Sequence, residues 1–345
     1  MTAVTQYGDI SPRVAAYAVT QLLKRGLPYL VIEKFGQTYP IPTNSTKVAK
    51  FRRYFLAGAT GAAGDGNPAS AFSTPLALTP LVEGVTPTGK KLTNVDYTAT
   101  LVQYGDYVTI TDVVLDTAED QVLNQVTEAL GESAAQTIET IRFNVLKAGL
   151  NVFYANGTAR NQVNTVISLA VQRKITTALT RQNAKRITSV VKSTPDFRTE
   201  PIEAAFIALT HPDLESDIRN MTGFIPTKQY GTVTPFENEI GSVETVRYLQ
   251  STVFAPWLDA GGAMGAMRST TGTNADVYPI LFLGRDAYGI VPLKGKDSLT
   301  PMVVNPKPAP GDPLAQRGTV GWKAMTTAVI LNDAWMARLE VAATA

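Results

Sequence analysis

The stretch Thr117–Gly149, TAEDQVLNQVTEALGESAAQTIETIRFNVLKAG, decides how the rest of the chain is read. Apolar residues fall at Val122, Leu123, Val126, Leu130, Ala134, Ile138, Ile141, Val145 and Ala148, steps of three and four that keep them on one helical face. No proline interrupts it. Thr117 with Asp120 three positions on makes a capping-box pattern, Glu119 and Asp120 suit the positive end of the helix dipole, Lys147 suits the negative end, and Gly149 is a natural terminator. At about 1.5 Å per residue the rod would be roughly 50 Å long, more than one small domain needs. The spacing predicts a spine.

Around it, 345 residues that are 44% hydrophobic and 17% charged fit an ordinary globular balance of about two domains. A formal net charge of +2 argues against a chain that is basic throughout for nucleic acid or membrane surfaces. The absence of cysteine excludes disulfides, thiol nucleophiles and thiolate metal sites. MTAVTQYGDISPRV has no basic region followed by an apolar core, and no apolar run reaches about 18 residues, so neither a standard secretion signal nor a membrane span is expected. The three Asn-x-Thr triplets at Asn44, Asn156 and Asn220 are then turn chemistry.

Charge comes in blocks of alternating sign. Lys+Arg against Asp+Glu runs 10 to 5 over residues 1–100, 2 to 8 over 101–150, 8 to 2 over 151–200 and 3 to 7 over 201–250. Two readings stay open: solvated faces of one domain, or basic and acidic blocks that meet across a subunit boundary.

Ahead of the spine, residues 1–46 hold a short helix pattern at Arg13–Lys24 and then mix apolar residues with turn-formers, which reads as an extended arm ordered by lying on something else. Strand patterns at Lys47–Leu56 and Tyr97–Thr111 bracket a Gly-, Ala-, Thr- and Pro-rich segment, which reads as a long excursion from the body. Beyond the spine, a turn is expected at Asn156-Gly157, a helix over Arg173–Arg186, a boundary within Lys192–Pro201, and a buried strand over Ala204–Leu209. His211-Pro212 then starts a short helix, Thr245–Leu249 and Tyr278–Leu283 are strands, and 260–274 is a glycine-rich mobile loop. Trp322–Leu331 and Ala334–Val341 read as strands of a hairpin turned at Asn332-Asp333.

No motif for catalysis survives inspection. His211 is the sole histidine, and no nucleophile elbow accompanies it. Gly84–Lys91 (GVTPTGKK) approaches a phosphate loop, but Lys91 stands where magnesium needs a hydroxyl, and a strand pattern follows. Asp112, Asp116, Glu119 and Asp120 match helix-dipole complementarity without a metal. Arg52 and Arg53 would point to opposite faces of a strand, a poor design for a basic groove. Catalytic, cofactor and metal sites are therefore all expected to be absent.

Several strings carry a resemblance: VDYTATLVQYGDYVTITDVVLDTAED (95–120), AGLNVFYANGTAR (148–160), EIGSVETVRYLQST (239–252), PILFLGRDAYG (279–289) and DPLAQRGTVGWKAMTTAVILNDAWMARLE (312–340). With the arm, flap and spine, they resemble the tailed-phage major capsid proteins of the Hong Kong 97-type α+β fold, and more narrowly the coat-protein family typified by phage N-four. The resemblance implies an N-arm at 1–46, an extended loop with its strands at 47–112, and a peripheral domain at 113–201 built on the spine helix 117–149. It further implies an axial domain at 202–310 and a C-terminal return at 311–345. It implies a structural protein of the virion, forming hexamers and pentamers of an icosahedral shell around double-stranded DNA, with portal and scaffolding or decoration proteins as further partners. An encapsulin-like nanocompartment shell is the alternative. The charge blocks then nominate inter-subunit contacts: Glu119, Asp120, Glu128 and Glu132 on the spine against Lys47, Lys50 and Arg53 of a neighbour.

Overall fold

The computed structural model describes residues 30–42, 46–56, 82–86, 92–112, 122–191, 199–231, 234–293, 299–304, 313–314 and 316–345. The helix expected at Arg13–Lys24, most of the excursion at 57–91, and the head of the spine with Asp116, Glu119 and Asp120 lie outside them.

Residues 30–42 carry a 3-10 turn at Ile32–Lys34 and a two-residue strand, β1 (Gln37–Thr38). Next come β2 (Val48–Leu56), β3 (Leu92–Thr100) and β4 (Val102–Thr111). The single strand expected over Tyr97–Thr111 is thus two. The chain breaks step at buried Leu101, whose N–H donates to the Lys47 carbonyl, and β3 and β4 take different partners.

The spine is α1 (Val122–Lys147), about 39 Å of helix at the usual rise per residue. It is followed by β5 (Val152–Tyr154) and α2 (Leu169–Arg181). α2 begins earlier than the expected Arg173 because Ser168 caps it, accepting from Val171 N–H at 3.4 Å, and it stops at Arg181 because Asn183 turns left-handed at φ 56°. Then come β6 (Ile187–Val191), β7 (Thr199–Thr210), the short α3 (Glu215–Arg219) and β8 (Phe224–Pro226). β6 and β7 pair antiparallel on either side of residues 192–198, which lie outside the described residues, and the last three positions of the expected boundary at Lys192–Pro201 open β7. The remaining strands are β9 (Glu239–Val243), β10 (Val246–Gln250), β11 (Val277–Leu283), β12 (Tyr288–Pro292), β13 (Leu299–Val304), β14 (Arg317–Ile330) and β15 (Met336–Ala342).

These strands make two sheets and a ribbon. One sheet has the order β1-β12-β14-β13, with β4 along the other side of the long β14. The other has the order β5-β15-β11-β7-β10-β9-β8, with β6 on β7. β2 and β3 pair only with each other.

Period-2 alternation explains the larger core. All of β11 is buried, since it is central and covered on both faces. Tyr278, Ile280 and Phe282 join Phe206, Tyr248 and Leu339 beneath Ile175 and Leu179 of α2. Leu281 and Leu283 face the other way with Ile207, Leu209 and Leu249, against Phe143 and Leu146 of α1 and Val31 and Ile32 of the arm. The first half of α1 serves the other sheet, where Leu130, Ala134 and Ile138 pack on Ile110, Val320, Trp322 and Ala324. One helix therefore spans both sheets, which is why it must be long.

The tail departs from the expected hairpin. β14 and β15 belong to different sheets. A two-residue hairpin of the favoured kind at Asn332-Asp333 needs left-handed φ there, but Asn332 is extended at φ −153° and its side chain accepts from Ala334 N–H at 3.3 Å. The following 3-10 turn, Asp333–Trp335, swings the chain across to the second sheet. Trp335 anchors that crossing by donating its Nε1–H to the Gln182 carbonyl at 2.9 Å.

Candidate functional site

The arm is seated by a carboxylate in the spine. Glu139 is fully buried, and its Oε1 accepts the N–H groups of Val31 at 3.0 Å and Ile32 at 2.8 Å. Burial pushes the Glu139 carboxyl up to about 7, partly opposed by the nearby Arg142 charge and the two N–H groups. Arg142 pairs with Glu33 at 2.9 Å, Lys34 with Glu237 at 3.0 Å, and Tyr288 donates its hydroxyl to the Ile32 carbonyl at 2.5 Å. Gly36 lies so close that a Cβ there would sit 2.4 Å from the Tyr288 ring, so the arm's path demands glycine. From that point β1 extends the sheet in parallel beside β12. Of the two supports open to such an arm, its own domain or a neighbour, residues 30–42 take their own domain.

The ribbon is built differently. Ala49 and Ala99 at its base are buried with Leu101 against Ile41 and Val291, and Phe51 packs beside them. The side chains alternate: Ala49, Phe51 and Arg53 turn inward, while Lys50, Arg52 and Tyr54 turn outward. Arg52 and Asp96, directly opposite in register, form a two-pronged pair at 2.7 and 2.8 Å that holds the Asp96 carboxyl down to about 2. Tyr54 is 57% exposed and Leu92 59%, so the chain leaves apolar surface open on this ribbon.

The nominated contacts separate accordingly. Lys47 and Lys50 are exposed at the ribbon base. Arg53 is the exception among the basic candidates: its guanidinium lies 4.8 Å from the ring centroid of Trp335 and burial lowers its pKa, so it faces this chain's own body. Glu128 and Glu132 are half-buried on α1, and Glu119 and Asp120 lie outside the described residues.

Sequence reasoning missed Glu139 and Arg142. The predicted apolar stripe holds at Leu130, Ala134 and Ile138, but further along the buried positions are Glu139, Arg142, Phe143 and Leu146, while Ile141 and Val145 are only half-buried and Ala148 is exposed. The face rotates because the second half of α1 packs on a different sheet and under the arm. The only signal was a charged pair three apart, Glu139 and Arg142, interleaved with the apolar run.

The remaining candidates are structural. His211 caps the turn that follows β7, its Nδ1 accepting from Asp213 N–H at 3.2 Å, so a neutral ring carries its proton on Nε2. Gly84 turns at φ +79°, and the strand β3 follows at Leu92 where a phosphate loop requires a helix. The loop expected to be mobile at 260–274 is pinned: Gly261 and Gly262 donate to the Ala275 and Val163 carbonyls at 2.9 Å each, and Arg268 N–H donates to Ala343 at 2.8 Å. A Cβ on Gly261 would come within 2.3 Å of the Val163 oxygen, so glycine here serves close approach. Among the described residues no group of three or more His, Asp or Glu side chains is placed to hold a metal ion, and no helix is long and apolar enough to cross a membrane.

Comparison with known proteins places this arrangement of a helix bridging two sheets, a seated arm and a two-stranded ribbon. The family described as phage capsid protein matches residues 94–339. The chain belongs to this family. Its fold is the Hong Kong 97-type capsid fold, similar to the capsid of Ralstonia phage GP4 (12% identity, 90% of this chain and 87% of that one, TM-score 0.61) and to the capsid of cyanophage P-SCSP1u (15% identity, 91% and 88%, TM-score 0.57). It is also similar to the SrpI encapsulin of Synechococcus elongatus (11% identity, 99% and 92%, TM-score 0.52). No curated protein matches it by sequence. The chain is a structural protein of a phage capsid.

Proposed function

We propose that this major capsid protein assembles into hexamers and pentamers that close an icosahedral shell around double-stranded DNA. The observation that carries the reading is the family match over 94–339, joined to a ribbon on whose outer face the single chain leaves Tyr54 and Leu92 uncovered. In this reading residues 1–46 are the N-arm, 47–112 the extended loop, 113–201 with 311–345 the peripheral domain, and 202–310 the axial domain around the capsomer axis. The chain assembles in the host cytoplasm and resides in the virion. A formal charge of +2 suits a wall that touches packaged DNA weakly and without sequence preference. Portal, scaffolding and decoration proteins are its further partners.

Lys47 and Lys50 meet the acidic spine positions Glu119, Asp120, Glu128 and Glu132 of an adjacent subunit. Exposed pairs of this kind contribute about 0 to 1 kcal/mol each, so they select register more than they hold the shell. Glu128→Lys impairs assembly and Lys50→Glu in the same chain restores it; normal shells from the single variant would count against the contact. Electron microscopy of purified protein tests the whole reading, with closed angular shells expected. Likeness to an encapsulin supports a second reading, a nanocompartment, which shells holding protein cargo and no nuclease-protected DNA would favour.

A further inference from the structure

Where α1 ends, three cations gather on one indole. The Lys147 Nζ lies 3.9 Å from the Trp257 ring centroid, the Arg160 guanidinium 3.6 Å and that of Arg338 5.5 Å. Both arginines pair with one carboxylate, that of Glu340. Arg160 is chelated by fully buried Glu340 through two bonds of 2.8 Å. The Arg338 Nε lies 3.0 Å from the same carboxylate without hydrogen-bond alignment, its guanidinium donates to the Lys147 and Gly149 carbonyls at the helix end, and the Asp333 charge faces it. Among the described residues Lys147 makes no ion pair. Its ammonium donates to a neutral carbonyl, that of Ala255 at 3.0 Å, and burial together with the Arg160 and Arg338 charges pushes its pKa down to about 8, partly opposed by the Glu340 charge. The rim is apolar: Leu150, just past the helix, is 84% exposed, and Leu258, beside Trp257, is 60% exposed.

A half-buried cation with no ion pair among the described residues, set on a tryptophan and edged by exposed leucines, has the composition of an interface anchor rather than of a finished surface. We propose that this cluster receives a carboxylate side chain from a second copy of the chain, seated beside Lys147 while neighbouring apolar groups cover Leu150 and Leu258. The proposal rests on the shell reading, which makes an identical chain the available neighbour. A nucleic-acid backbone fits less well, because phosphate tracking uses a row of free cations and both arginines here are already engaged. A single carboxylate fits the one cation of the three that makes no ion pair among the described residues.

Competitive acetylation of the full-length protein, read by mass spectrometry, tests this in dissociated subunits and in shells, with exposed Lys174 as the reference. An arriving carboxylate raises the Lys147 pKa by about one unit or more and so cuts its free amine about tenfold. The expected result is a Lys147 that reacts readily in subunits and about tenfold more slowly in empty and filled shells alike. Equal reactivity in subunits and shells overturns the proposal, and so does protection confined to DNA-filled shells, which would identify phosphate as the ligand. Lys147→Glu should leave the subunit Tm unchanged yet stop assembly, and Lys147→Met should weaken it. Normal shells from Lys147→Met would reduce the contact to apolar cover and overturn the proposal alone, whereas a wild-type chain that never leaves the monomer overturns this proposal and the shell reading together.

Discussion

The eight-stranded sheet and the β2–β3 ribbon are made from the same kinds of residue and reach opposite ends. In the sheet, β11 has a neighbour on both edges and side chains packed on both faces, so every one of its residues is buried within one chain. In the ribbon, two strands satisfy each other's backbone and little else; beyond the seat around Ala49, Ala99 and Leu101, tyrosine and leucine face outward. A two-stranded ribbon is marginal alone in water. The sheet is what one chain completes, and the ribbon is what one chain leaves open.

The contrast breaks most visibly in the core. Phe282→Ala opens a cavity at the centre of the sheet and should cost about 3 to 5 kcal/mol, measured as a lower denaturation midpoint with an unchanged slope. A comparable loss from removing Tyr54 in the ribbon would erase the distinction.

The seat of the arm lies between the two extremes. The Glu139 carboxyl rises from 4.5 unfolded to about 7 folded, so the folded chain holds the proton more tightly. Its stabilising contribution is complete below pH 4.5 and is lost as pH climbs through about 7, a change of about 3 kcal/mol in unfolding free energy. Glu139→Gln keeps an acceptor for the Val31 and Ile32 N–H groups and should flatten that part of the stability–pH profile. A variant profile that still falls over this window would assign the slope to another group.

The smallest expected effect is on the ribbon itself. Arg52 and Asp96 are exposed, and Asp96→Asn should leave the Tm of the dissociated subunit unchanged. Comparing that subunit with the assembled shell sharpens the contrast, since a change in the shell alone would show that the ribbon's order matters between chains.

The sequence was legible where the local pattern alone fixed the element. The first half of the spine has one covering sheet, the unbroken apolar run at 277–283 suits a strand buried on both faces, and strand alternation separates Arg52 from Arg53. It was less legible where partners change along an element. α1 serves one sheet with Leu130 and another with Leu146, so its buried face rotates and takes in Glu139 and Arg142, charges that no stripe predicts. Asn332-Asp333 carries the residues of a tight turn, but whether the chain folds back or crosses to another sheet depends on which strand edges stand open.

By itself, then, the order of residues determined a long amphipathic rod, paired strands ahead of it, an arm with little core of its own, and a chain without thiols or a catalytic constellation. Only the tertiary structure decided that one rod would bridge two sheets, that a buried carboxylate would hold the arm, and that Lys147 would make no ion pair among the described residues while two arginines beside it share Glu340. Those outcomes depend on groups brought together from more than a hundred positions apart, as Val31 and Glu139 are, and no local period encodes such a meeting.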